Sequence, residues 1–328
     1  HDAFDVLRDA LDRLLRHTAP RLHQVLVEDR STDPRLRPWL RAWTRAQSDR
    51  ARSDRAQSDR AQVTVTLLEN GTNLGFVGSV NRALDTIGAP RAPVVLMNSD
   101  ALVPEGWAER LLAPLAAARD VASATPMSND AEIFSTPAIC ARSPLAPGQG
   151  DAIDRVARAL PGGLPRIDVP TGVGFCMALA PRWLAEVPRL DPTFGPGYGE
   201  EVDWCRKVAA RGGRHVVVPH LFVEHRGGAS FGSTEKRRLV ARNNAEISRR
   251  YPGYDAAVRQ FITTDPLATP RVALALAYLD SLPDLPEVPV FLAHELGGGA
   301  ECALQQRLSS QTPRSEEHTS ELQSLLII

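Results

Sequence analysis

Short apolar runs alternate with helical stretches through the first 125 residues, and each strand-like run ends in a polar cluster. Phe4, Leu7, Leu11, Leu14 and Leu15 recur at helical spacing; residues 23–27 then read as a short strand ending in Glu28-Asp29-Arg30-Ser31-Thr32-Asp33-Pro34. Further strands are predicted over 63–68, 93–97 and 121–125, with helices over 77–87 and 107–118. This alternation points to an α/β architecture with a doubly wound, mostly parallel sheet. In such sheets ligands collect beyond the carboxyl ends of the strands. The polar clusters after Val27, Leu68 and Met97 fall at those ends, so three loops converge on one crevice.

Composition narrows the chemistry of that crevice. Lys plus Arg (38) nearly balance Asp plus Glu (39), so net charge supplies no field for nucleic acid. Cys140, Cys176, Cys205 and Cys302 form no Cys-x-x-Cys pair, which suggests neither a zinc site nor a disulfide framework and fits a reducing cytoplasm. The longest apolar candidate, 272–278, falls far short of the roughly 20 residues of a membrane span. His1-Asp2-Ala3-Phe4 is neither a signal peptide nor an initiator Met and reads as the middle of a reading frame. Residues 45–62 repeat Arg-Ala-Gln-Ser-Asp with a period of five, which matches neither a helical face nor a solenoid unit. They read as an expanded surface segment, a lengthened helix end or a loop, without a catalytic role. Between 126 and 170 the chain is rich in Pro, Gly and Ala, with a helical patch at 152–160, the pattern of a long active-site loop.

Two acidic centres stand out. Asn98-Ser99-Asp100 follows Val94-Val95-Leu96-Met97, which sets Asp100 just past a buried strand. A carboxylate there can coordinate Mg²⁺ or Mn²⁺ alongside diphosphate oxygens and water, offsetting charge on a departing nucleoside diphosphate; the same three residues also suit a plain turn. Glu200, Glu201 and Asp203 open a helical segment that stops at Gly212-Gly213. The helix macrodipole alone favours acids in a first turn. The preceding Phe194-Gly195-Pro196-Gly197-Tyr198-Gly199 nevertheless gives a flexible approach that can bring a carboxylate base and an aromatic ring against a sugar acceptor. His220 and His225 lie five apart, so on a strand they face opposite sides and at most one shares the crevice with Asp100. His225, next to Gly227-Gly228, is the candidate metal ligand. Arg226, Lys236, Arg237 and Arg238 offer contacts to phosphate or to a membrane-bound acceptor, or else a solvated basic face. Asn73-Leu74-Gly75-Phe76-Val77-Gly78 lacks the Gly-x-Gly-x-x-Gly spacing of a dinucleotide fingerprint.

Taken in order, these pieces resemble the family 2 glycosyltransferases, inverting enzymes of the GT-A (nucleotide-diphospho-sugar transferase) fold. The match runs through Val27-Glu28-Asp29-Arg30-Ser31-Thr32-Asp33, Asn73-Leu74-Gly75-Phe76 with Asn81, and Asn98-Ser99-Asp100. It continues through Gly174-Phe175-Cys176-Met177, Gly199-Glu200-Glu201-Val202-Asp203, and Val223-Glu224-His225 with Ser230-Phe231. The resemblance implies that Glu28, Asp29 and Ser31 lie near the nucleotide base and ribose, with Asn73, Gly75 and Asn81 shaping the same pocket. Asn98, Ser99 and Asp100 would complete the donor site, with Asp100 as the acidic member of an Asp-x-Asp-like motif and His225 as second protein ligand of the metal. The catalytic base falls on Glu201 of the cluster Glu200, Glu201 and Asp203, with Glu200 as the competing choice. Gly172, Gly174 and the Thr125-Pro126-Met127-Ser128-Asn129 loop would line the donor and acceptor sugar sites.

On this reading residues 1–265 are the GT-A domain, 266–289 a linker, and 290–312 the start of a second glycosyltransferase-like domain, cut short. Residues 313–328 resemble a translated sequencing adapter and are set aside. Family members open with a central strand just before the point where this chain starts. The first strand is therefore expected to be missing, leaving the polypeptide as written unstable or poorly active. The implied reaction is metal-dependent, inverting transfer from a nucleotide-sugar donor to a hydroxyl of a glycan or lipid-linked acceptor, in cell-surface polysaccharide synthesis. The expected setting is the cytoplasm, with peripheral association at the cytoplasmic face of a membrane as an option. A sugar-1-phosphate nucleotidyltransferase and a non-catalytic, transferase-derived binding domain are the competing readings.

Overall fold

The computed structural model describes residues 3–18, 21–57, 62–160, 166–227 and 233–280. Its first layer is built as the apolar spacing predicts. Helix α1 (Ala3–His17) buries Leu7, Leu11 and Leu14 on one face, and Leu7 and Leu11 pack with Leu36 and Leu40 of α2 (Leu36–Gln57). Strands β1 (Arg21–Glu28) and β2 (Gln62–Glu69) pair in parallel and without a slip, Leu26 opposite Leu67 and Glu28 opposite Glu69. The five-residue repeat continues α2 as far as Gln57, so it is a lengthened helix end; residues 58–61 lie outside the described residues.

Helix α3 (Gly75–Ile87) leads to β3 (Val94–Met97) and the short β4 (Ala101–Leu102), followed by α4 (Trp107–Ala117) and β5 (Val121–Met127). Then come α5 (Gln149–Ala159), β6 (Cys176–Leu179), α6 (Pro181–Glu186) and α7 (Glu200–Ala209). The described chain ends in β7 (Arg214–Phe222), β8 (Glu224–His225), α8 (Ser233–Arg250), α9 (Tyr254–Thr264) and α10 (Ala268–Asp280). The main sheet has the order β3-β6-β5-β7. β5 and β7 are parallel, while β6 runs antiparallel to both β3 and β5. Three of its four strands therefore share a direction, and the reversed β6 makes it a mixed sheet. Every residue of β5 and β6 is buried, because apolar clusters cover the sheet: Trp107, Leu111 and Phe222 in one, Trp183, Trp204 and Val208 in another.

Among the described residues, β1 pairs only with β2, and β3 only with β6, so each ends its sheet. The expected linker begins too early in the sequence reading. Residues 268–280 form α10, which packs on α5 and buries Leu274, and Leu267 just before it is fully buried. Arg271, 5% exposed, anchors that helix through Asp265 and the Ile133 carbonyl. The segments 290–312 and 313–328 lie outside the described residues. No described helix is long and apolar enough to cross a membrane.

Candidate active site

The first acidic centre is assembled by a two-residue ladder. β4 and β8 pair antiparallel with Ala101 opposite His225, and the Arg226 N–H donates to the Asp100 carbonyl at 3.0 Å. His225 Nε2 consequently lies 3.3 Å from Asp100 Oδ1 and 3.3 Å from Asn98 Nδ2. The Asn129 amide grips the His225 backbone, accepting from its N–H at 2.8 Å and donating to its carbonyl at 3.0 Å. His225 Nδ1 donates to the Asp130 carbonyl at 2.6 Å, which fixes the tautomer and leaves Nε2 as a lone pair facing Asp100. Burial pulls the His225 ring down, and Asp100 and Asp130 more than offset that, so it titrates above its ordinary value.

An imidazole lone pair and a carboxylate aimed at one point, with the far ring nitrogen tied to a carbonyl, fit a divalent metal. Among the described residues no group of three or more His, Cys, Asp or Glu side chains gathers to hold one. The pair would supply two ligands and leave the remaining positions to donor oxygens and water. His220 belongs to β7 and His225 to β8, and the His220 carbonyl accepts from Arg110 at 2.6 Å.

The second centre opens α7. Glu200 is 3% exposed and Glu201 half-buried, and on each carboxyl Oε2 is buried without a partner. Desolvation, then the neighbouring charge of Glu201, pushes Glu200 up to about 9. Desolvation also raises Glu201, but a hydrogen bond from Glu200 and backbone N–H groups including Gly174 oppose it. Burial thus raises both carboxyls, and two such neighbours cannot readily ionise together, so the pair shares a proton near neutral pH.

One dipeptide joins the two centres. Gly174 packs against Glu201 and the Phe76 ring, so closely that a Cβ on it would lie 3.5 Å from Phe76 and 4.0 Å from Glu201 Oε1. Phe175 accepts from the Asn98 N–H through its carbonyl at 2.8 Å, and its ring stacks on His225 at 5.0 Å between centroids. Asn98, Asp100, Gly174, Glu200, Glu201 and His225 thus share one neighbourhood, with Ser99 in the turn after β3. Asn129, Asp130 and Phe175 had no assigned part at the metal centre in the sequence reading. Only the chain order of the Met-Ser-Asn-Asp loop and of Gly-Phe-Cys-Met hinted at them.

The loop after β1 is organised around two carboxylates. Asp29 Oδ1 accepts from Asn70 Nδ2 at 2.8 Å and from the Leu74 N–H at 2.7 Å. Glu28, buried at 2% exposure, accepts from the Ser31 N–H and from the Arg37 guanidinium. Glu28 is therefore an internal ion-pair partner and not a free nucleotide contact, because a buried carboxylate is held by the nearest cation. Ser31 and Asn73 are exposed, and Asn73 accepts from the Gly75 N–H at 3.0 Å.

Three further sequence assignments change. Asn81 does not reach the donor pocket: its amide donates to the Leu190 carbonyl and accepts from the Leu190 N–H, both at 2.9 Å, so its side chain is occupied by a distant loop. Asp203 turns into the fold, 1% exposed, and is bound by Lys207 at 2.6 Å, Arg250 at 2.9 Å and the Tyr251 hydroxyl at 2.6 Å. Two helical positions beyond Glu201 it points to a different side of α7, where Lys207 of the same helix and Arg250 of α8 meet it. Gly172 and Thr125 pack together in the core, and a Cβ at Gly172 would lie 2.7 Å from Met177. Gly75 does serve the site, by a close approach: at φ +68° its missing Cβ leaves room for Pro196, and the Phe76 N–H donates to the Pro196 carbonyl at 2.9 Å.

The model of glycosyl transferase family 2 matches residues 1–176. Among solved structures, two similar chains are GalNAc-T7 with UDP, GalNAc and Mn²⁺, and the mannosyltransferase PcManGT from Pyrobaculum calidifontis with GDP-Man and Mn²⁺. The first superposes with a TM-score of 0.54 at 16% identity over 84% of this chain, which spans 50% of GalNAc-T7. The second has a TM-score of 0.52 at 18% identity, covering 100% of this chain and 82% of PcManGT. No curated protein matches. At these identities the solved structures establish a shared fold, the GT-A fold, and the family match covers more than half of the sequence. The chain is a member of glycosyl transferase family 2.

Proposed function

We propose that this chain transfers a sugar from a nucleotide-sugar donor to a hydroxyl of a glycan or lipid-linked acceptor, with inversion at the anomeric carbon. The observation that supports the reading is the Gly174-Phe175 dipeptide: Gly174 lies against Glu201, whose Oε2 has no partner, and Phe175 stacks on His225. Asp100 and His225 would hold Mg²⁺ or Mn²⁺, which when bound supplies charge compensation to a diphosphate leaving group. Asp29 and Asn73, at the ends of β1 and β2, would face the nucleotide.

Glu201 Oε2 lacks a donor in the folded chain, and an acceptor hydroxyl would supply one. Glu201 takes that proton as the hydroxyl oxygen bonds to the anomeric carbon and the bond to the diphosphate breaks. Glu200 stays protonated and orients Glu201 through their hydrogen bond. Work at the cytoplasmic face of a membrane on cell-surface polysaccharide would suit such a reaction.

The test is a panel of nucleotide sugars screened for Mn²⁺-dependent thermal stabilisation, followed by transfer assays on wild type and Glu201→Gln. The variant should bind donor and Mn²⁺ normally while transfer falls by at least 10²-fold. Near-normal turnover moves the base elsewhere, and no metal-dependent stabilisation by any nucleotide sugar overturns the reading.

A further inference from the structure

The loop before α7 holds a backbone that a chain adopts only under constraint. Gly197, Tyr198 and Gly199 have φ values of +141°, +71° and +113° in succession. Tyr198 is not a glycine, and a left-handed conformation costs an L-residue with a Cβ about 1–2 kcal/mol. Such a conformation persists only where the surroundings over-determine it.

α8 provides that constraint. Asn243, 1% exposed, donates from Nδ2 to the Phe194 carbonyl at 2.9 Å and to the Gly197 carbonyl at 2.8 Å, while its Oδ1 accepts from Arg242 Nε at 3.0 Å. Both amide hydrogens and the oxygen are thereby used, all for holding the loop or holding Asn243 itself. One turn further on, Ile247 lies under Gly199, 3.5 Å from where a Cβ would project. From the other side the Phe76 N–H holds the Pro196 carbonyl. The loop is pinned at 194, 196, 197 and 199, and the next two residues are Glu200 and Glu201.

We propose that Asn243 is the positioning residue of the acidic pair: by tying the Phe194 and Gly197 carbonyls it holds the left-handed run and so aims Glu200 and Glu201. The proposal rests on the reading of Glu201 as the base. Glu201 needs a fixed direction because a displacement of about 1 Å at a reacting group costs about 10²-fold in rate. A carboxylate at 243 is nearly isosteric but has no hydrogens to give, so it separates hydrogen bonding from packing.

The experiment compares wild type with Asn243→Ala, Asn243→Asp, Asn243→Gln and Tyr251→Phe. Tyr251 directly follows the same helix but contacts Asp203, deeper in α7, and serves as a stability control. Asn243→Ala and Asn243→Asp should lower kcat by about 10²-fold with donor KM changed less than threefold, and Asn243→Gln, which can still donate, should recover part of the loss. Tyr251→Phe should lower Tm without a matching fall in kcat. A fall in kcat that simply follows the loss of Tm across all four variants, or a rise in KM at unchanged kcat, overturns the proposal. A second readout needs no activity: freeing the loop hydrates the acidic pair, so the fall of Tm with rising pH between 6 and 9 should flatten in Asn243→Ala. If wild type transfers no sugar yet this flattening is seen, the functional reading has failed and the positioning has not; an unchanged pH slope removes the positioning.

Discussion

Replacing Glu200 with Gln should make the protein more stable at neutral and alkaline pH, although it removes an acidic residue from a helix first turn. A carboxyl that titrates at 4.5 in the unfolded chain and at about 9 in the folded one binds an extra proton when folded throughout that window. Stability attributable to Glu200 is therefore complete below pH 4.5, falls as pH rises, and levels off above about 9. The slope is about 1.4 kcal/mol per pH unit. At pH 7.5, three units above the unfolded value, the cost is on the order of 4 kcal/mol. Gln has nearly the same shape, can donate the same hydrogen bond to Glu201, and does not titrate. The variant should match wild type near pH 4.5 and gain steadily above it, reaching roughly 8 °C in Tm at pH 7.5 if 1 kcal/mol shifts Tm by about 2 °C.

Glu201, which burial also raises, titrates in both proteins and makes the wild-type slope a property of the pair; the other neighbours do not blur the comparison. Desolvation sends Cys205 up to about 12 and pushes Tyr254 up as well, both clear of the window, and burial takes His215 down to about 4. His225 titrates in both proteins and cancels in the difference between them. Calorimetry or a dye-based melt from pH 4.5 to 9, with no metal present, gives the difference curve directly. A gap between the two proteins that stays constant over that range would refute the shared-proton account of the pair. Glu201 would then lack the orienting hydrogen bond on which its role as base depends.

Two further expectations concern residues that hold the site in place. Gly75→Ala puts a Cβ 2.4 Å from the Pro196 Cα at φ +68°, so urea denaturation should show a loss of about 2–4 kcal/mol; a loss under about 1 kcal/mol would show that the loop gives way. Asp203→Asn leaves Lys207 and Arg250 with only their other acidic partners, Asp191 and Glu246, and should destabilise by about 2 kcal/mol while leaving Mn²⁺ affinity unchanged. Weakened Mn²⁺ binding in a titration would return Asp203 to the site.

The elements legible in the sequence were those with a full period to display. α1 shows its buried face through Leu7, Leu11 and Leu14, and β1, β2, β3 and β5 each form a run closed by polar residues. β6 was not legible as a strand: four residues, Cys176–Leu179, buried on both faces, carry no alternation, and nothing local shows that they run against their neighbours. α10 was read as part of a linker spanning 266–289. Pro270 sits in the first turn of the helix, where the missing N–H has no intrahelical partner to lose. At the site, Asp100 and His225 were legible because strand ends declare themselves. Asn81 and Asp203 were misassigned because their partners, Leu190 and Arg250, are chosen by tertiary packing. Asn243 was invisible for the same reason, being one polar residue on a polar helix.

The two-residue ladder between β4 and β8 has a consequence for engineering. Asn98 and His225 stand 127 positions apart, yet their meeting depends on a pairing only two residues long. Added length in the loops between them can be absorbed as surface excursion, so reporter insertions or grafted loops there should leave the pair intact. A single-residue insertion or deletion beside either strand is different. It would shift the count by one, present Glu224 or Arg226 where the imidazole belongs, and change the charge of the centre without altering its composition. Tolerance of length at this centre is therefore set by distance from one rung of backbone hydrogen bonds, and an insertion scan of the gene should show narrow intolerant windows at β4 and β8 in addition to those over the buried strands and α7 between them, with permissive positions confined to exposed loops.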